Sequence, residues 1–367
     1  MRVGFDDQAL LAQRRGGVSR YVLSLVEAFR QAPELGVEPV PAWRYTTNEH
    51  ALATGAARGI GLFDRHGSSF DPVGAGACYL LNTRARRSAA RADLVHYTFY
   101  HPRFLPRVKQ RPMVVTVYDM IPELFPELFQ RNPHLAKAEY VRRCDLVLCI
   151  SESARDDLLK VYGPLEAPIA VTPLGVDPRF RPGAAPLAGL PRRYLLYVGR
   201  RDGYKDFAVV TAALAQMSGR IPLVTVGGGS LTDLEREALA GQGLDGWVIQ
   251  RNLPESALPS VYANALAFIF PSRYEGFGLP TLEAMACGTP TVLAAASSLP
   301  EVGGDAAWYF PPGDAAALAA RLEHLIGDSV VSADLGERGL VRAQAFNWRR
   351  TAELTAQAYG QLVPATA

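Results

Sequence analysis

One continuous stretch, residues 272–290 with the sequence SRYEGFGLPTLEAMACGTP, limits the possible folds of this chain more than any other. It follows a strand-like apolar run at residues 267–270, and Pro280 favours a helix start because proline suits the first helical turn. Gly288 and Pro290 predict the end of that helix. The stretch therefore predicts a strand, a glycine-containing loop and a short helix, the unit from which parallel α/β sheets are built.

Two carboxylates occupy the ligand-binding part of this predicted unit. Glu275, Gly276 and Gly278 fall on the loop, and Glu283 falls one turn into the helix. Parallel sheets bind ligands at the carboxyl edge of their strands, where backbone N–H groups at a helix start suit a phosphate. The carboxylates suit hydroxyls of a sugar and a ribose. Spacing alone leaves open that Glu283 is a solvated helix residue and Glu275 an ordinary loop residue.

The order of strand, Glu-Gly-Phe-Gly-Leu-Pro, helix and glycine closely resembles the nucleotide-binding signature of family 4 retaining glycosyltransferases. The resemblance extends over nearly the whole chain. It implies an α/β GT-B fold, with two facing Rossmann-like domains, parallel sheets and a C-terminal helix that crosses back to the first domain. Together with a shift to Pro, Gly and Ala after residue 178, it predicts an acceptor-side domain at 1–175, a nucleotide-sugar-binding domain at 190–347 and a returning helix at 348–367.

Length and composition agree with two domains and exclude several classes of protein. The chain has 367 residues, of which 49% are hydrophobic, and its net charge of +2 gives no global nucleic-acid signature. No apolar run reaches the ~18–20 residues that span a bilayer. The N-terminus reads as a strand, not a signal peptide. The four cysteines lack metal or redox spacing, which favours buried thiols in a reducing compartment, and we expect a cytoplasmic protein.

Apolar runs alternate with amphipathic segments in both halves, as α/β folds require. Residues 46–77 instead lack clear periodicity, and we expect a long loop or short helices there. The predicted strands are 2–5, 37–42, 94–97, 113–118 and 146–150 in the first half, and 194–198, 223–226, 247–249, 267–270, 291–294 and 307–310 in the second. Two capping residues are also predicted: Ser151 as a helix N-cap, and a Ser-x-x-Glu capping box within 297–301.

A glycine pair after the first strand, Gly16 and Gly17, lets the backbone come close to a ligand beside a helix start. An ordinary turn remains the alternative. The G-x-G-x-x-G spacing is missing, which disfavours a NAD-dependent oxidoreductase. Family 4 enzymes carry a similar pair near the donor diphosphate, so the resemblance implies donor contact here.

Two cations follow the first strand of the second half. Arg200 and Lys205 can hold a diphosphate and stabilise the charge that grows as a glycosidic bond breaks, and Arg201 could share that work. An ordinary basic loop is the alternative. No Asp-x-Asp triplet occurs, so we expect neither a metal ion nor another cofactor.

The resemblance assigns further roles residue by residue. It implies that Glu283 binds the donor ribose, that Glu275 binds sugar hydroxyls and that residues 250–258 border the base. The expected catalytic residues are Glu275, Arg200, Lys205, Tyr118 and Asp119. The expected donor-binding residues are Gly16, Gly17, Arg200, Lys205, Leu253, Glu275, Gly276, Phe277, Gly278, Leu279 and Glu283.

Tyr118 and Asp119 end a predicted buried strand at its ligand-facing edge. Many family members have a histidine where this chain has Tyr118, and a phenol with a reference pKa near 10 is a poor base at neutral pH. The alternative is that Tyr118 packs in the core and Asp119 caps a turn. An aromatic loop after another strand predicts acceptor contacts, although each histidine there could be structural: His96, Tyr97, Tyr100 and His101.

Residues 83–91 and 102–111 are locally basic. They predict either a solvated face or a patch that contacts anionic lipid headgroups or a lipid diphosphate. The loops at residues 203–206 (GYKD) and 118–122 (YDMIP) resemble those of bacterial O-antigen and capsule mannosyltransferases. They imply GDP-mannose as donor, a saccharide or lipid-linked saccharide acceptor, and possible peripheral contact with the inner membrane face. A UDP-sugar or another GDP-hexose donor stays open, as do a nucleotide-sugar epimerase and a catalytically silent partner subunit.

Overall fold

The computed structural model describes residues 1–60, 72–129, 132, 134 and 136–363. The chain divides into two compact units. Unit 1 comprises Met1–Gly175 and Trp348–Ala367, and unit 2 comprises Val176–Asn347.

Unit 1 is built on a six-stranded parallel sheet with the order β2-β1-β5-β6-β7-β8. A separate parallel pair, β3 with β4, lies beside its loops. The central strands are buried along their whole length, which is why they read as near-continuous apolar runs. The strands are β1 (Arg2–Phe5), β2 (Glu38–Pro41), β3 (Tyr45–Thr46), β4 (Arg58–Gly59), β5 (Leu94–Tyr97), β6 (Met113–Val117), β7 (Leu146–Cys149) and β8 (Ile169–Val171).

The helices of unit 1 cover this sheet. They are α1 (Gln8–Ala12), α2 (Gly17–Gln31), α3 (Glu49–Ala53), α4 (Pro72–Leu81), α5 (Thr83–Ala89), α6 (Ile121–Leu124), α7 (Lys137–Arg143), α8 (Glu152–Tyr162) and, after unit 2, α16 (Trp348–Gly360). Helix α16 packs against α2, β7 and β8. Its tyrosine Tyr359 is fully buried and hydrogen-bonds His96 of β5.

Unit 2 has its own six-stranded parallel sheet, with the order β11-β10-β9-β12-β13-β14. Its strands are β9 (Leu195–Val198), β10 (Leu223–Val226), β11 (Val248–Arg251), β12 (Ala267–Phe270), β13 (Thr291–Ala294) and β14 (Trp308–Phe310). Its helices are α9 (Phe207–Gln216), α10 (Asp233–Gly241), α11 (Leu258–Ala263), α12 (Leu279–Ala286), α13 (Leu299–Gly303), α14 (Ala315–Gly327) and α15 (Ser329–Gln344).

The predicted fold class is confirmed: two units carry parallel sheets, and the C-terminal helix belongs to unit 1. Ser151 caps α8 through its hydroxyl, as predicted. All four cysteines are buried thiols. The stretch 46–77 contains α3, β4 and the start of α4, and its residues 61–71 lie outside the described residues. Within the described part of the chain, no helix is long and apolar enough to cross a bilayer.

Candidate active site

An ion pair links two loops at the carboxyl edge of the unit 2 sheet. The Lys205 Nζ lies 2.6 Å from the Glu275 Oε1, and both side chains are largely buried. Lys205 follows β9 and Glu275 follows β12, which are neighbours in the sheet. Burial alone would lower the pKa of Lys205, but the Glu275 carboxylate offsets this, and the net pKa lies above its usual value. Lys205 is therefore a charged ammonium at neutral pH.

The backbone of Glu275 is clamped by two serines that follow β13. The Glu275 N–H donates to the Ser297 hydroxyl at 2.8 Å, and both serine hydroxyls donate to the Glu275 carbonyl at 2.9 Å. Ser297 adopts a left-handed backbone conformation with φ of 44° to make this contact. The predicted capping box is therefore wrong, because Ser298 uses its hydroxyl to hold Glu275 and makes no cap of α13.

The loop that carries Lys205 is tied to the loop that carries Glu275 by further bonds. The Arg273 N–H donates to the Tyr204 carbonyl at 2.8 Å, and the Arg273 guanidinium pairs with the Asp206 carboxylate at 2.8 Å. The Lys205 ammonium also lies 5.4 Å from the centre of the Phe270 ring. These contacts fix the ion pair in place before any ligand is bound.

The two arginines beside Lys205 have different surroundings. Arg200 is 73% exposed and pairs with the carboxylate of Asp202, so it stands at the surface of the site. Arg201 is 3% exposed, pairs with Glu235 and donates to backbone carbonyls of residues 227–230. Arg201 thus closes the glycine turn after β10. Its guanidinium already has these acceptors as partners, and a share in diphosphate binding stays a prediction.

Helix α12 begins directly after the Glu275 loop. Gly278 is its N-cap residue with φ of 93°, and a Cβ there would lie 2.8 Å from the side chain of Leu299. The position therefore needs glycine, which leaves the helix start accessible at Leu279. The Phe277 ring is buried against Phe346, so Phe277 and Gly276 offer only their backbone to a ligand.

Glu283 is nearly buried within α12, and the Tyr262 hydroxyl donates to its carboxylate at 3.0 Å. This tyrosine from α11 was not singled out in the sequence, where it is one of several aromatic residues without a distinguishing spacing. Leu253 lies on the loop between β11 and α11 and is half-buried. Donor contact by these residues stays a prediction.

In unit 1, the glycine pair lies at the start of α2. Gly16 is the N-cap residue, and a Cβ there would lie 2.1 Å from the Gln13 side-chain oxygen. Gly17 is the first residue of the helix, and a Cβ added there would meet no atom within 4 Å. The extended φ of 172° at Gly16 suits any residue and the Gln13 side chain is flexible, so the local structure does not require glycine here, and donor contact by the pair stays a prediction.

Tyr118 is 6% exposed, and its hydroxyl donates to the Thr98 carbonyl at 3.0 Å. Burial raises the pKa of this phenol well above 10. The Asp119 carboxylate accepts from the Ile121 N–H at 3.0 Å and so caps the following turn. Tyr118 therefore packs inside unit 1 and Asp119 caps a turn, as the alternative interpretation predicts, and a catalytic role for either residue stays a prediction.

The predicted acceptor group is mostly interior. Both ring nitrogens of His96 hydrogen-bond buried hydroxyls, those of Tyr359 at 2.6 Å and Thr116 at 2.7 Å. Tyr100 is 1% exposed and donates to the Thr116 carbonyl, and Tyr97 is buried too. These three side chains are buried inside unit 1, as the structural alternative predicts, and acceptor contact by them stays a prediction. Of the four residues, His101 alone is exposed.

Two family models match the chain. The model described as glycosyl transferases group 1 matches residues 186–341, and the one described as Glycosyltransferase Family 4 matches residues 15–180. Between them they cover most of both units. The chain belongs to the family 4 glycosyltransferases.

Individual proteins agree with this membership. The glycosyltransferase is 29% identical to the O-antigen chain mannosyltransferase B of Escherichia coli, over 94% of this chain and 95% of that one. Its fold is similar to that of sucrose-phosphate synthase from Thermosynechococcus elongatus, with a TM-score of 0.77 and 23% identity over all of both chains. It is also similar to Anabaena HepE in complex with UDP-glucose, with a TM-score of 0.74 and 18% identity over 99% of this chain and all of that one.

In this glycosyltransferase, the Lys205–Glu275 ion pair is held by two serines whose contact with Glu275 was not predicted from the sequence. Ser297 and Ser298 follow a different strand from Glu275, more than twenty residues later, so no local pattern could connect them.

Among the described residues, no group of three or more His, Cys, Asp or Glu side chains is arranged to hold a metal ion.

Proposed function

We propose that this glycosyltransferase moves a hexose from a nucleotide diphosphate sugar to a saccharide or lipid-linked saccharide in bacterial surface polysaccharide synthesis, with retention at the sugar carbon. The observation that carries the proposal is the Lys205–Glu275 pair, which stands three residues before the N-cap of α12. A cation and helix N–H groups attract a diphosphate, and a carboxylate accepts hydrogen bonds from sugar hydroxyls.

Each group then has one task. Lys205, Arg200 and the backbone at Gly278 and Leu279 hold the diphosphate and stabilise the charge that develops on it. Glu275 orients the sugar. Glu283, already oriented by Tyr262, takes the ribose hydroxyls. The leaving phosphate takes the acceptor's proton on the same face of the sugar, so no enzyme carboxylate attacks the sugar. The cations do the work that a metal ion would otherwise do.

The proposed donor is GDP-mannose, because the relative from Escherichia coli is described as a mannosyltransferase and matches nearly the whole chain. A UDP-sugar is the second candidate, since HepE, which shares the fold, is described in complex with UDP-glucose. We propose that the reaction takes place in the cytoplasm at the inner membrane face. Buried thiols suit a reducing compartment, and lipid-linked acceptors lie at a membrane.

The test incubates the protein with GDP-mannose, UDP-glucose and other nucleotide sugars, with a lipid-linked oligosaccharide extract, with and without chelator. Transfer and nucleoside diphosphate release are expected with one donor and in the presence of chelator. Interconversion of free nucleotide sugars would identify an epimerase, and binding without turnover a silent subunit. Thermal-shift measurements with GDP and UDP identify the base, because a bound ligand raises the melting temperature.

The variant Glu275→Ala is the sharpest single change. We expect transfer to fall by at least about 100-fold, the cost typical of losing one preorganised transition-state contact. Binding of the nucleoside diphosphate should persist, because Lys205 remains. Glu237→Ala, an exposed carboxylate on α10 of the same unit, is the matched control and should keep full activity. Full transfer activity in Glu275→Ala would remove the assigned role.

A further inference from the structure

Helix α4 of unit 1 has an apolar face that points outward. None of its ten residues is charged. One side, with Gly74, Ala75 and Cys78, is buried against the unit. On the other side, Val73, Leu80 and Leu81 are 61%, 71% and 51% exposed. A helix that is apolar all round is normally covered on every side, so this outer face is suited to contact a further apolar phase.

Cations adjoin this face. Arg84 and Arg87 of α5 are exposed and lie three residues apart, on one side of the helix that follows Leu81. The segment from 72 to 111 contains eight Arg and Lys residues and only one acidic residue, Asp93, although the whole chain has a net charge of +2. The remainder of the chain is therefore net negative, and the positive charge is concentrated in this segment, in which Arg86 and Lys109 are paired with Asp7 and Asp145.

Internal contacts hold these elements together. The Arg86 guanidinium lies 3.8 Å from the centre of the Tyr79 ring and pairs with the buried carboxylate of Asp7 at 3.0 Å. The Tyr79 ring packs edge-on against Phe104, with ring centres 5.6 Å apart. This ties α4 and α5 to the loop at 102–104, which adds the exposed cation Arg103. The guanidinium of Arg103 lies 5.7 Å from the centre of the Tyr79 ring, so cations of α5 and of this loop both lie next to α4.

We propose that the α4–α5 surface, formed by Val73, Leu80, Leu81, Arg84, Arg87 and Arg103, docks unit 1 onto a bilayer that contains anionic lipids. Apolar side chains flanked by arginines suit the interface of such a bilayer, where the chains enter the acyl boundary and the guanidinium groups meet the phosphates. Charge complementarity decides for this occupant, because a second copy would bring the same positive charge against itself. The proposal rests on the proposed function in one respect only, because docking would serve to bring the enzyme to a lipid-linked acceptor.

The test is co-sedimentation of the full chain with vesicles of phosphatidylcholine alone or with about 30% phosphatidylglycerol, without any sugar nucleotide. Binding is expected only to the anionic vesicles and should weaken as salt is raised from 50 to 500 mM. Arg84→Gln/Arg87→Gln should bind about 25-fold more weakly, at roughly fivefold for each cation near the surface. Leu80→Ser/Leu81→Ser should bind at least about tenfold more weakly.

Leu234→Ser/Arg236→Gln is the matched control, since it removes an equally exposed leucine and a nearby arginine from α10 of unit 2. It should bind vesicles like the wild type. Circular dichroism checks that each variant is folded. The proposal is overturned if the wild type ignores anionic vesicles or if the α4–α5 variants bind as well as the control. It is also overturned if light scattering shows that Leu80→Ser/Leu81→Ser turns a dimer into a monomer, because a second copy would then cover the face. Since no sugar is present, failure of transfer does not bear on this result.

Discussion

Lys205 and Glu275 are oriented by each other in the absence of ligand. Removing one partner of a largely buried pair leaves the other charge uncompensated, whereas an exposed pair such as Arg200 with Asp202 contributes little. In the proposed function, an arriving diphosphate replaces the carboxylate as the partner of Lys205, and Glu275 is then available to sugar hydroxyls. The proposal thus assigns to this pair the link between donor binding and sugar orientation.

His96 gives a pH-dependent prediction for unit 1. Burial lowers its pKa to about 3, against about 6.5 in the unfolded chain. Between these values only the unfolded chain binds the proton, so the contribution of His96 to stability is complete above pH 6.5 and falls as pH drops towards 3. The free energy of unfolding of the wild type should exceed that of His96→Gln, and this difference, the advantage of the wild type, should fall by at most about 1.4 kcal/mol per pH unit as pH drops through that window.

Urea unfolding at pH 7.5 and 4.5, followed by near-UV circular dichroism, measures this advantage. His101→Gln, at an exposed site, controls for the loss of an imidazole as such. Comparing variants matters because burial raises the pKa of Asp6 to about 7, and that group favours the folded state towards low pH. An advantage over His96→Gln that is equal at both pH values would contradict the prediction.

Single residues also show where sequence reasoning stops. Lys205 and Glu275 could be found because each follows a recognisable strand and lies at the carboxyl edge of a parallel sheet. The internal partners of His96 could not be predicted, because the hydroxyl groups that bind it lie on β6 and, more than 260 residues away, on α16. The same distance in sequence hides the two serines that clamp Glu275.

At the scale of elements, the close packing of α15 against the turn that ends α12 depends on Gly336 of α15. A Cβ on Gly336 would lie 2.6 Å from the backbone carbonyl of Gly288, so Gly336→Ala must push α15 away from the turn that ends α12. We expect a loss of about 1–3 kcal/mol, typical of overpacking. Since α12 carries Glu283, affinity for the nucleoside diphosphate should fall as well.

Gly241→Ala on α10 is the matched change, because a Cβ there meets nothing within 4 Å. It should be neutral or stabilise by up to about 1 kcal/mol, as alanine favours a helix over glycine. Thermal melts with and without nucleoside diphosphate compare the two variants, at about 2–4 °C per kcal/mol for a unit of this size. Equal melting temperatures for both would show that α12 and α15 tolerate a wider spacing.

Elements were predictable where a strand is fully buried. Short runs rich in apolar and β-branched residues predicted β1, β6, β7, β10, β12 and β13, with bounds that agree to within one residue. Strand β8 was missed because it has only three residues and all of them are half-buried. The pair of β3 and β4 was missed for the same reason, since two residues give no alternation.

At the scale of the whole molecule, the chain distributes its tasks between the two units. The ion pair, the start of α12 and the buried Glu283 all belong to unit 2. The concentrated positive charge and the exposed apolar face of α4 belong to unit 1. The sequence indicates this division by a restart of alternating strands and by the Pro, Gly and Ala residues after residue 178, whereas the return of the last helix to the first unit was expected from the family resemblance alone.

That return makes a prediction about stability. Ala352, Thr355, Ala358 and Tyr359 of α16 are almost completely buried in unit 1, so a chain that ends at Asn347 exposes the core beneath them. The small side chains contribute about 0.8 kcal/mol for each buried methyl group and the Tyr359 ring several times as much, and the core surface that α16 covers adds to this, so the loss approaches the whole stability of a domain, about 5–15 kcal/mol. Calorimetry of the truncated chain should show that the unit 1 transition is lost and the unit 2 transition is kept. Limited proteolysis should cut within residues 1–175. Arg349→Ala, which removes only exposed ion pairs of α16 with Glu34 and Glu353, should melt within about 1 kcal/mol of the wild type. If the truncated chain kept both transitions, unit 1 would be stable without its last helix.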